Sequence, residues 1–252
     1  MTHTLLKGAL LTSLLLVTSQ TAAAQKQSPA CPPAENAINT IMVASVTGCP
    51  FSAALEVTQT QTLADGTHIQ RKSKMLIYRD SLGRIRYDHY LLGPADQEIP
   101  EQPSYIEIYD PPAGFIYRLS PASAVASRSR RVKPATPKSN PQPQPDKNSA
   151  ASQTDRLKYT RVSEELGTQF IAGDLASGRR ETITYPAGAE GNDRSFVVLS
   201  ETWESSDLNL RLLMKNADPR SGDMEQRVTD LTRTEPDPSL FQVPSDYTIN
   251  GE

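Results

Sequence analysis

From residue 51 onward, hydrophobic and polar positions alternate with a period of two over most of the chain. Leu55 and Val57 alternate with polar neighbours in a Thr-rich run, which is typical of half-buried β-strands. Asp65-Gly66 ends this run and is a hairpin turn signal, because both residues tolerate positive φ. Similar runs and turns continue to residue 120. The pattern predicts about five antiparallel strands arranged as a meander.

The alternation resumes near residue 156 and continues to the end of the chain. The run 196–203 is strongly β, and the run 208–215 places alternate leucines on one face. Asp237-Pro238 predicts a single helical turn, with Asp as its cap and Pro at its first position. We therefore predict a mainly β protein of about ten strands. One continuous twisted sheet is the simpler interpretation, and two small domains are the alternative.

Between the two halves, residues 121–155 lack this alternation. The segment carries six prolines and no aromatic residue, and 141–145 is a Pro-Gln repeat. Such a segment buries too little apolar area to offset the entropy of ordering it, so we predict a disordered linker or long loop. It contains a basic cluster, which either is simply solvated or contacts an anionic surface such as lipid head groups or a cell-wall polymer. The cluster consists of Arg128, Arg130, Arg131, Lys133 and Lys138.

The first 24 residues have the pattern of a cleavable signal peptide. Lys7 precedes an uncharged run at 8–17, and Ala22-Ala23-Ala24 follows it as a cleavage site. The apolar run is shorter than the ~20 residues of a spanning helix. We expect export to the periplasm or beyond the cell. A retained membrane anchor and a buried core helix are the alternatives.

Two cysteines, Cys31 and Cys49, follow the signal peptide. In an oxidising compartment an isolated pair is expected to form a disulfide, and the absence of Cys-x-x-Cys argues against a redox pair. Between them, apolar residues recur at helical spacing in 34–46. We predict that residues 25–50 form a short helical segment and that the disulfide links it covalently to the start of the first strand.

Composition and motifs exclude several functions. Without residues 1–24 the chain has 25 basic and 29 acidic residues, a net charge of −4, which argues against nucleic acid as the main partner. Nucleophile-elbow, zinc-protease and nucleotide-binding motifs are absent, and only His68 and His89 lie beyond the signal peptide. We predict no catalytic residue, no metal site and no cofactor. A hydrolase whose site is assembled only by folding is the remaining enzymatic alternative.

The single Trp of the chain lies in its most hydrophobic predicted strand. Trp203 either packs in the core or lines an apolar cavity together with residues of its own and the following strand. The candidate lining residues are Phe196, Val198, Trp203, Leu210 and Leu212.

Several stretches together resemble a known group of proteins. They include 64–69, 77–84, 109–119 and Glu201-Thr202-Trp203, and the segment Phe241-Gln242-Val243-Pro244 resembles the Phe-x-Val-Pro segment that ends the domain in that group. The sequence resembles exported bacterial proteins without assigned roles. More distantly it resembles the periplasmic lipoprotein-carrier superfamily, the LolA-, LolB- and RseB-like half-barrels. The resemblance implies a large curled antiparallel sheet, a half-barrel, around an apolar cavity that holds acyl chains or a partner's peptide.

These observations define the expected organisation and role. The signal peptide (1–24) and helical segment (25–50) precede a β domain whose halves, 51–120 and 156–252, flank the disordered insert at 121–155. The leading hypothesis is a non-enzymatic exported binding protein of the bacterial envelope. Its apolar concave sheet face would take a lipid, a lipidated peptide or an envelope protein. A structural or interaction protein without a ligand cavity is the alternative.

Overall fold

The computed structural model describes residues 31–32, 43–130 and 159–251, and these residues are mainly β-strand. The predicted signal peptide therefore lies outside the described residues. The strands and two 3-10 turns of the described part are β1 (Phe51–Thr62), β2 (His68–Arg79), β3 (Ile85–His89), β4 (Gly93–Pro94), β5 (Tyr105–Asp110), β6 (Phe115–Ser120), η1 (Pro121–Ser123), β7 (Val125–Arg130), β8 (Thr160–Ile171), β9 (Asp174–Tyr185), β10 (Phe196–Ser205), β11 (Leu210–Asp218), β12 (Gly222–Thr232), η2 (Pro238–Phe241) and β13 (Thr248–Asn250).

All thirteen described strands belong to one curled, open sheet. Its order is β13-β7-β6-β5-β3-β2-β1-β12-β11-β10-β9-β8, and β4 pairs with β2 beside this path. The two halves of the chain are each a meander, and they are joined by the antiparallel pairing of β1 with β12. Only the pairing of β13 with β7 is parallel among the described strands. The mainly β, curled-sheet prediction is confirmed, as one continuous sheet.

The helical prediction for residues 34–46 is wrong at its C-terminal end. Val43 forms an isolated antiparallel bridge with Leu210, and the segment up to Val46 is not helical. Val43 and Val46 are buried, and their β-branched side chains favour extended backbone that packs on the sheet. Residues 33–42 lie outside the described residues. The predicted disulfide between Cys31 and Cys49 is present, with 5.4 Å between the Cα atoms.

The predicted disordered insert begins about ten residues too early. Residues 121–130 form η1 and β7, and only the remainder of the insert, at 131–155, lies outside the described residues. Ala126 in β7 is fully buried and pairs with Leu119, so a small residue fills a core position. The strand is held between β6 on one side and β13 on the other. The predicted helical turn η2 is confirmed, with the Asp237 carboxylate accepting a hydrogen bond from the Ser239 amide at 2.8 Å.

Two hydrophobic clusters stabilise the described part of the sheet. The main core contains Phe51, Ile77, Tyr87 and Leu212 among its largest members. The second cluster lies over β5, β6 and β7, where Phe241 of η2 packs, and contains Ile106, Ile108, Leu119, Ala126 and Phe241. The C-terminal segment thus covers one end of the sheet, and β8 to β12 extend away from it.

A buried arginine joins the N-terminal segment to the sheet. Arg79 has no exposed surface, and its guanidinium donates to the carbonyl oxygens of Cys49 (2.7 Å), Ala44 (2.9 Å) and Leu208 (3.0 Å). It also lies over the Phe51 ring, 4.7 Å from the centroid. Burial lowers the pKa of Arg79 to about 10, so the group is still charged at neutral pH. The three carbonyls accept from three of the five N–H groups of this buried charge, and Nη2 contacts the Cys31 sulfur at 3.9 Å.

Candidate functional site

The larger of the two described hollows lies on one face of the sheet, over six consecutive strands. It has a volume of about 890 Å³. The strands are β8, β9, β10, β11, β12 and β1, which are neighbours in that order. The lining residues are Thr58, Thr60, Glu164, Arg180, Thr182, Leu199, Glu201, Lys215, Asn216, Ala217, Asp223, Met224 and Glu225.

Strand register assembles a row of alternating charges across this hollow. Each member is the direct cross-strand partner of the next, from β8 to β12, so the side chains point to the same face. Thr58 of β1 continues the row beyond its last acidic member. We call this row the charge ladder; its members are Glu164, Arg180, Glu201, Lys215 and Glu225.

A second row, two residues further along the strands, is mostly uncharged. Thr182 pairs with both Val162 and Leu199, and Leu199 pairs with Ala217. The Leu199 side chain is partly open to solvent, with a fractional exposure of 42%. We call Val162, Thr182, Leu199 and Ala217 the apolar row; on β12 the row is continued by Asp223, which pairs with Ala217. The two rows lie about 7 Å apart, since each residue of a strand advances the chain by about 3.4 Å.

Glu201 is the most tightly held acid of the charge ladder. Its Oε1 accepts a hydrogen bond from the Trp203 indole Nε1 at 2.8 Å, and its Oε2 accepts one from Arg180 Nη2 at 3.1 Å. Arg180 also reaches Glu164 through Nη1 at 3.3 Å. The Trp203 hydrogen bond, followed by Arg180, lowers the pKa of Glu201. Glu201 is therefore a carboxylate at neutral pH, suited to binding and unsuited to donating a proton.

The Trp203 ring packs directly over a glycine on the neighbouring strand. Gly178 of β9 pairs directly with Trp203 of β10. A Cβ atom at position 178 would lie 2.5 Å from two carbon atoms of the indole ring. Only a glycine therefore leaves room for the ring at this point of the sheet.

None of the five predicted lining residues lies among those that line the two described hollows. Trp203, Leu210 and Leu212 belong to the main core. Phe196 and Val198 alternate with Leu199 and therefore face the opposite side of β10, where Phe196 stacks on Tyr185 at a centroid distance of 4.8 Å. A ligand contact of these five residues stays a prediction.

The hollow also differs from the predicted apolar face. Six of its lining residues are charged, and its apolar side chains are Leu199, Ala217 and Met224. The charged residues could not be predicted as a group, because each strand contributes only one member of the charge ladder. A signal was nevertheless present: Glu201 lies two residues before Trp203 and must share its face.

The two histidines do not form a joint site. His89 pairs with Met75 of β2, and His68 lies seven residues from Met75, which places the two histidines roughly 24 Å apart. His68 is exposed and contacts the Thr62 hydroxyl at 3.0 Å. The described residues contain no group of three or more His, Cys, Asp or Glu that could hold a metal ion.

The described residues include no helix long and apolar enough to cross a membrane. No protein-family model matches the chain, and no curated protein matches it.

Several solved structures are similar in fold. An uncharacterised conserved protein from Thermus thermophilus shares 10% identity, covers 80% of this chain and 90% of its own, and gives a TM-score of 0.40. A chain of the Pseudomonas aeruginosa MucA/MucB complex shares 12% identity, with 81% of this chain and 58% of that chain covered and a TM-score of 0.37. A LolA superfamily protein from Nitrosomonas europaea shares 8% identity, with 77% and 90% covered and a TM-score of 0.29. The solved structures that resemble the chain thus include a MucB complex and a LolA superfamily protein, each at low identity and low TM-score.

Proposed function

We propose that this protein is a non-enzymatic binding protein of the bacterial envelope that holds an amphiphilic ligand in the larger hollow. The observation that carries the proposal is the charge ladder running beside the apolar row on one open face of the sheet. An amphiphile lying along the strands would place its apolar part over Leu199 and its head group over Glu201. The volume of about 890 Å³ falls within the range of small-molecule sites.

The charges of the hollow favour a cationic head group. Its lining contains four acidic and two basic residues, a net charge of −2. Arg180 is shared between Glu164 and Glu201, and Arg227 pairs with Glu225 at 2.8 Å. Asp223 has no ion-pair partner within 4 Å among the described residues. A cation bound beside Asp223, on the β12 side of the hollow, is attracted by this carboxylate, whereas an anion there is repelled.

The compartment is inferred from two features. The sequence of residues 1–24 has the pattern of a signal peptide. The disulfide between Cys31 and Cys49 is of the kind that persists in an oxidising compartment. Both support an exported protein that works in the periplasm or outside the cell.

The proposal is tested on the exported, mature protein purified without detergent. Organic extraction followed by mass spectrometry is expected to release an acyl or other amphiphilic species. Thermal unfolding is then followed with dodecyltrimethylammonium, dodecylphosphocholine and dodecyl maltoside, each below its micelle concentration. We expect a rise in Tm that is largest for the cationic head group. The absence of both an extracted species and any rise in Tm would contradict the proposal and favour a structural protein without a ligand.

A matched pair of variants locates the binding. Leu199→Asp adds a charge to the apolar row, whereas Leu91→Asp adds one at a leucine of 69% exposure outside the hollow. Leu199→Asp should abolish the ligand-induced rise in Tm, and Leu91→Asp should keep it. An equal loss in both variants would show that the amphiphile acts through general hydrophobic contact with the surface.

A further inference from the structure

A second hollow lies on the opposite face of the same strands, and we infer that it binds a compact oxyanion such as phosphate, sulfate or carboxylate. Its volume is about 420 Å³. We call it the basic hollow. It is lined by Arg161, Ser177, Arg179, Glu181, Ser200, Thr202, Glu204 and Arg211.

Opposite side-chain orientations separate this hollow from the larger one. Ser200 and Thr202 flank Glu201 in β10, so their side chains point to the face opposite to that of Glu201. In the same way Arg179 of β9 alternates with Arg180 of the charge ladder. An anion in the basic hollow is thus separated from the proposed amphiphile by the sheet itself. The inference does not depend on the proposed function.

The arginines of this hollow have donors that the described protein atoms do not use. Arg161 is paired with Glu181 at 2.8 Å. Arg179 donates from Nε to Ser163 Oγ at 2.7 Å and has no carboxylate within 4 Å among the described residues, so its two terminal nitrogens have hydrogen-bonding capacity left over. The Nε atom of Arg211 is buried and makes no hydrogen bond within the described part of the chain, although the Glu204 carboxylate lies 3.5 Å from it as an ion-pair partner, and Nη1 contacts the Met214 sulfur at 3.6 Å. A buried donor of this kind gains from an acceptor brought by a ligand.

The register places these two arginines on either side of β10. Arg179 pairs with Thr202, and Arg211 pairs with Glu204. Strands β9 and β11 lie about 10 Å apart, two strand spacings, so two long side chains can approach one group above Thr202. The hydroxyls of Ser200 and Thr202 are further donors for an anion at this point. Guanidinium groups match the planar, bidentate geometry of oxyanions.

Two acidic residues also line the hollow, and neither blocks an anion. The Glu181 carboxylate is neutralised by Arg161. Glu204 Oε1 lies 3.5 Å from Arg211 Nε, and its side chain is 61% exposed, so it can turn into solvent when a stronger acceptor arrives. Three arginines against two glutamates leave a net charge of +1, which favours an anion of single or double charge.

The test is a titration of the mature protein with inorganic phosphate and with sulfate at low ionic strength, followed by NMR of backbone amides. We expect saturable shifts at Ser200 and Thr202. Arg179→Gln should raise the Kd about tenfold or more, because a hydrogen bond to a charged group is lost. Arg71→Gln, at an exposed arginine of β2 outside both hollows, is the control and should leave the Kd unchanged.

Arg179 is exposed, so its replacement leaves the fold intact and the result can be interpreted. Thr202→Val removes a hydroxyl without changing the side-chain shape and should weaken binding by a smaller factor. Linear, non-saturable shifts, or the same Kd for Arg179→Gln and Arg71→Gln, would overturn the inference. Leu199→Asp should not change phosphate binding, which distinguishes failure at this site from failure of the amphiphile proposal.

Two further arms identify the source of the anion. In the first, the protein is floated with vesicles of phosphatidylglycerol or of phosphatidylcholine. Flotation with phosphatidylglycerol alone, lost in Arg179→Gln, would assign the site to a lipid head group. Saturable binding of glycerol phosphate without flotation would assign it to a free anion. Absence of both, together with no phosphate binding, would contradict the inference.

Discussion

The Trp203 indole donates a hydrogen bond to Glu201 at 2.8 Å, two residues earlier on the same strand. This contact joins the main core to the larger hollow, because Trp203 is only 7% exposed whereas Glu201 lines the hollow. The core thus fixes the orientation of a carboxylate in the centre of the charge ladder. Arg180 holds the second oxygen of the same carboxylate.

Trp203→Phe is expected to release this carboxylate while keeping an aromatic ring in the core. The pKa of Glu201 should rise toward its usual range, because its largest lowering contribution is lost. The protein should lose about 1–3 kcal/mol of stability from the lost hydrogen bond and the smaller ring. Urea unfolding measures the stability, and NMR titration of the Glu201 side chain measures the pKa. An unchanged pKa would show that Arg180 alone determines it.

Gly178→Ala should destabilise the protein by forcing the Trp203 ring to move. The added Cβ would lie 2.5 Å from ring atoms, and overpacking of this kind costs about 1–3 kcal/mol. Gly93→Ala is the control, since nothing lies within 4 Å of its Cβ position and its φ is not positive. In a Trp203→Leu background the cost of Gly178→Ala should shrink. If Gly178→Ala reduces the unfolding free energy equally in both backgrounds, the loss comes from the backbone of β9 and not from contact with the Trp203 ring.

Local signals made much of the fold predictable, and long-range pairing explains the remainder. Asp65-Gly66 and Asp237-Pro238 each produce the predicted turn, because their effect depends only on neighbouring backbone. Strand β7 was missed because its apolar content is small and its order comes from pairing with β6 and with the distant β13. Residues 43–46 are extended for a similar reason, since Val43 bridges to Leu210.

The candidate site was harder to predict than the fold. Glu164 and Glu225 are brought onto one face by the registers of four successive strand pairs, none of which a single strand specifies. Phe196 and Val198 are hydrophobic, which favours a cavity lining, but alternation along β10 places them on the face opposite to Leu199. Face assignment within one strand could therefore have been made from the sequence, whereas the assembly of the ladder could not.

Glu107 should make the stability of the protein depend on pH. Its carboxylate lies 3.5 Å from His89 Nε2 and accepts hydrogen bonds from Arg118, and the interaction with His89 is the largest cause that lowers its pKa. Because the pKa of Glu107 is lower in the folded protein, its ionised carboxylate stabilises the fold at pH values above its unfolded-state pKa of about 4.5. This contribution to stability is lost as the pH falls through the folded-state pKa.

The measurement compares the wild type with Glu107→Gln by urea unfolding at a series of pH values. The variant should be less stable by about 1–2 kcal/mol at pH 7, and the difference should vanish in acid. Glu98→Gln, at an exposed glutamate for which no ion pair is found among the described residues, is the control. A difference that grows as the pH falls would have the wrong sign and would refute this assignment.

The disulfide should contribute substantially to stability. It links Cys31 and Cys49 across a separation of 18 residues, and closing such a loop is worth about 3 kcal/mol in the chain-entropy model. Replacing both cysteines with serine should reduce the unfolding free energy by about this amount. Adding a reducing agent to the wild-type protein should lower its unfolding free energy toward that of the variant. The unfolding free energy of the variant itself should not change. Equal stability of the two proteins would show that Arg79 alone is sufficient to hold the segment.

The sign of the charge in the larger hollow gives the last prediction. Asp223→Asn removes an acidic residue without an ion-pair partner among the described residues, so it should weaken the binding of dodecyltrimethylammonium by about fivefold. Asp246→Asn, at an exposed aspartate outside the hollow, carries the same charge change and should have no effect. Calorimetry at two salt concentrations separates the contributions, since screening weakens the effect of Asp223 but not the burial of the alkyl chain. Tighter binding of the cation by Asp223→Asn would mean that the head group does not lie near Asp223, and the ligand would then be oriented by contacts other than this carboxylate.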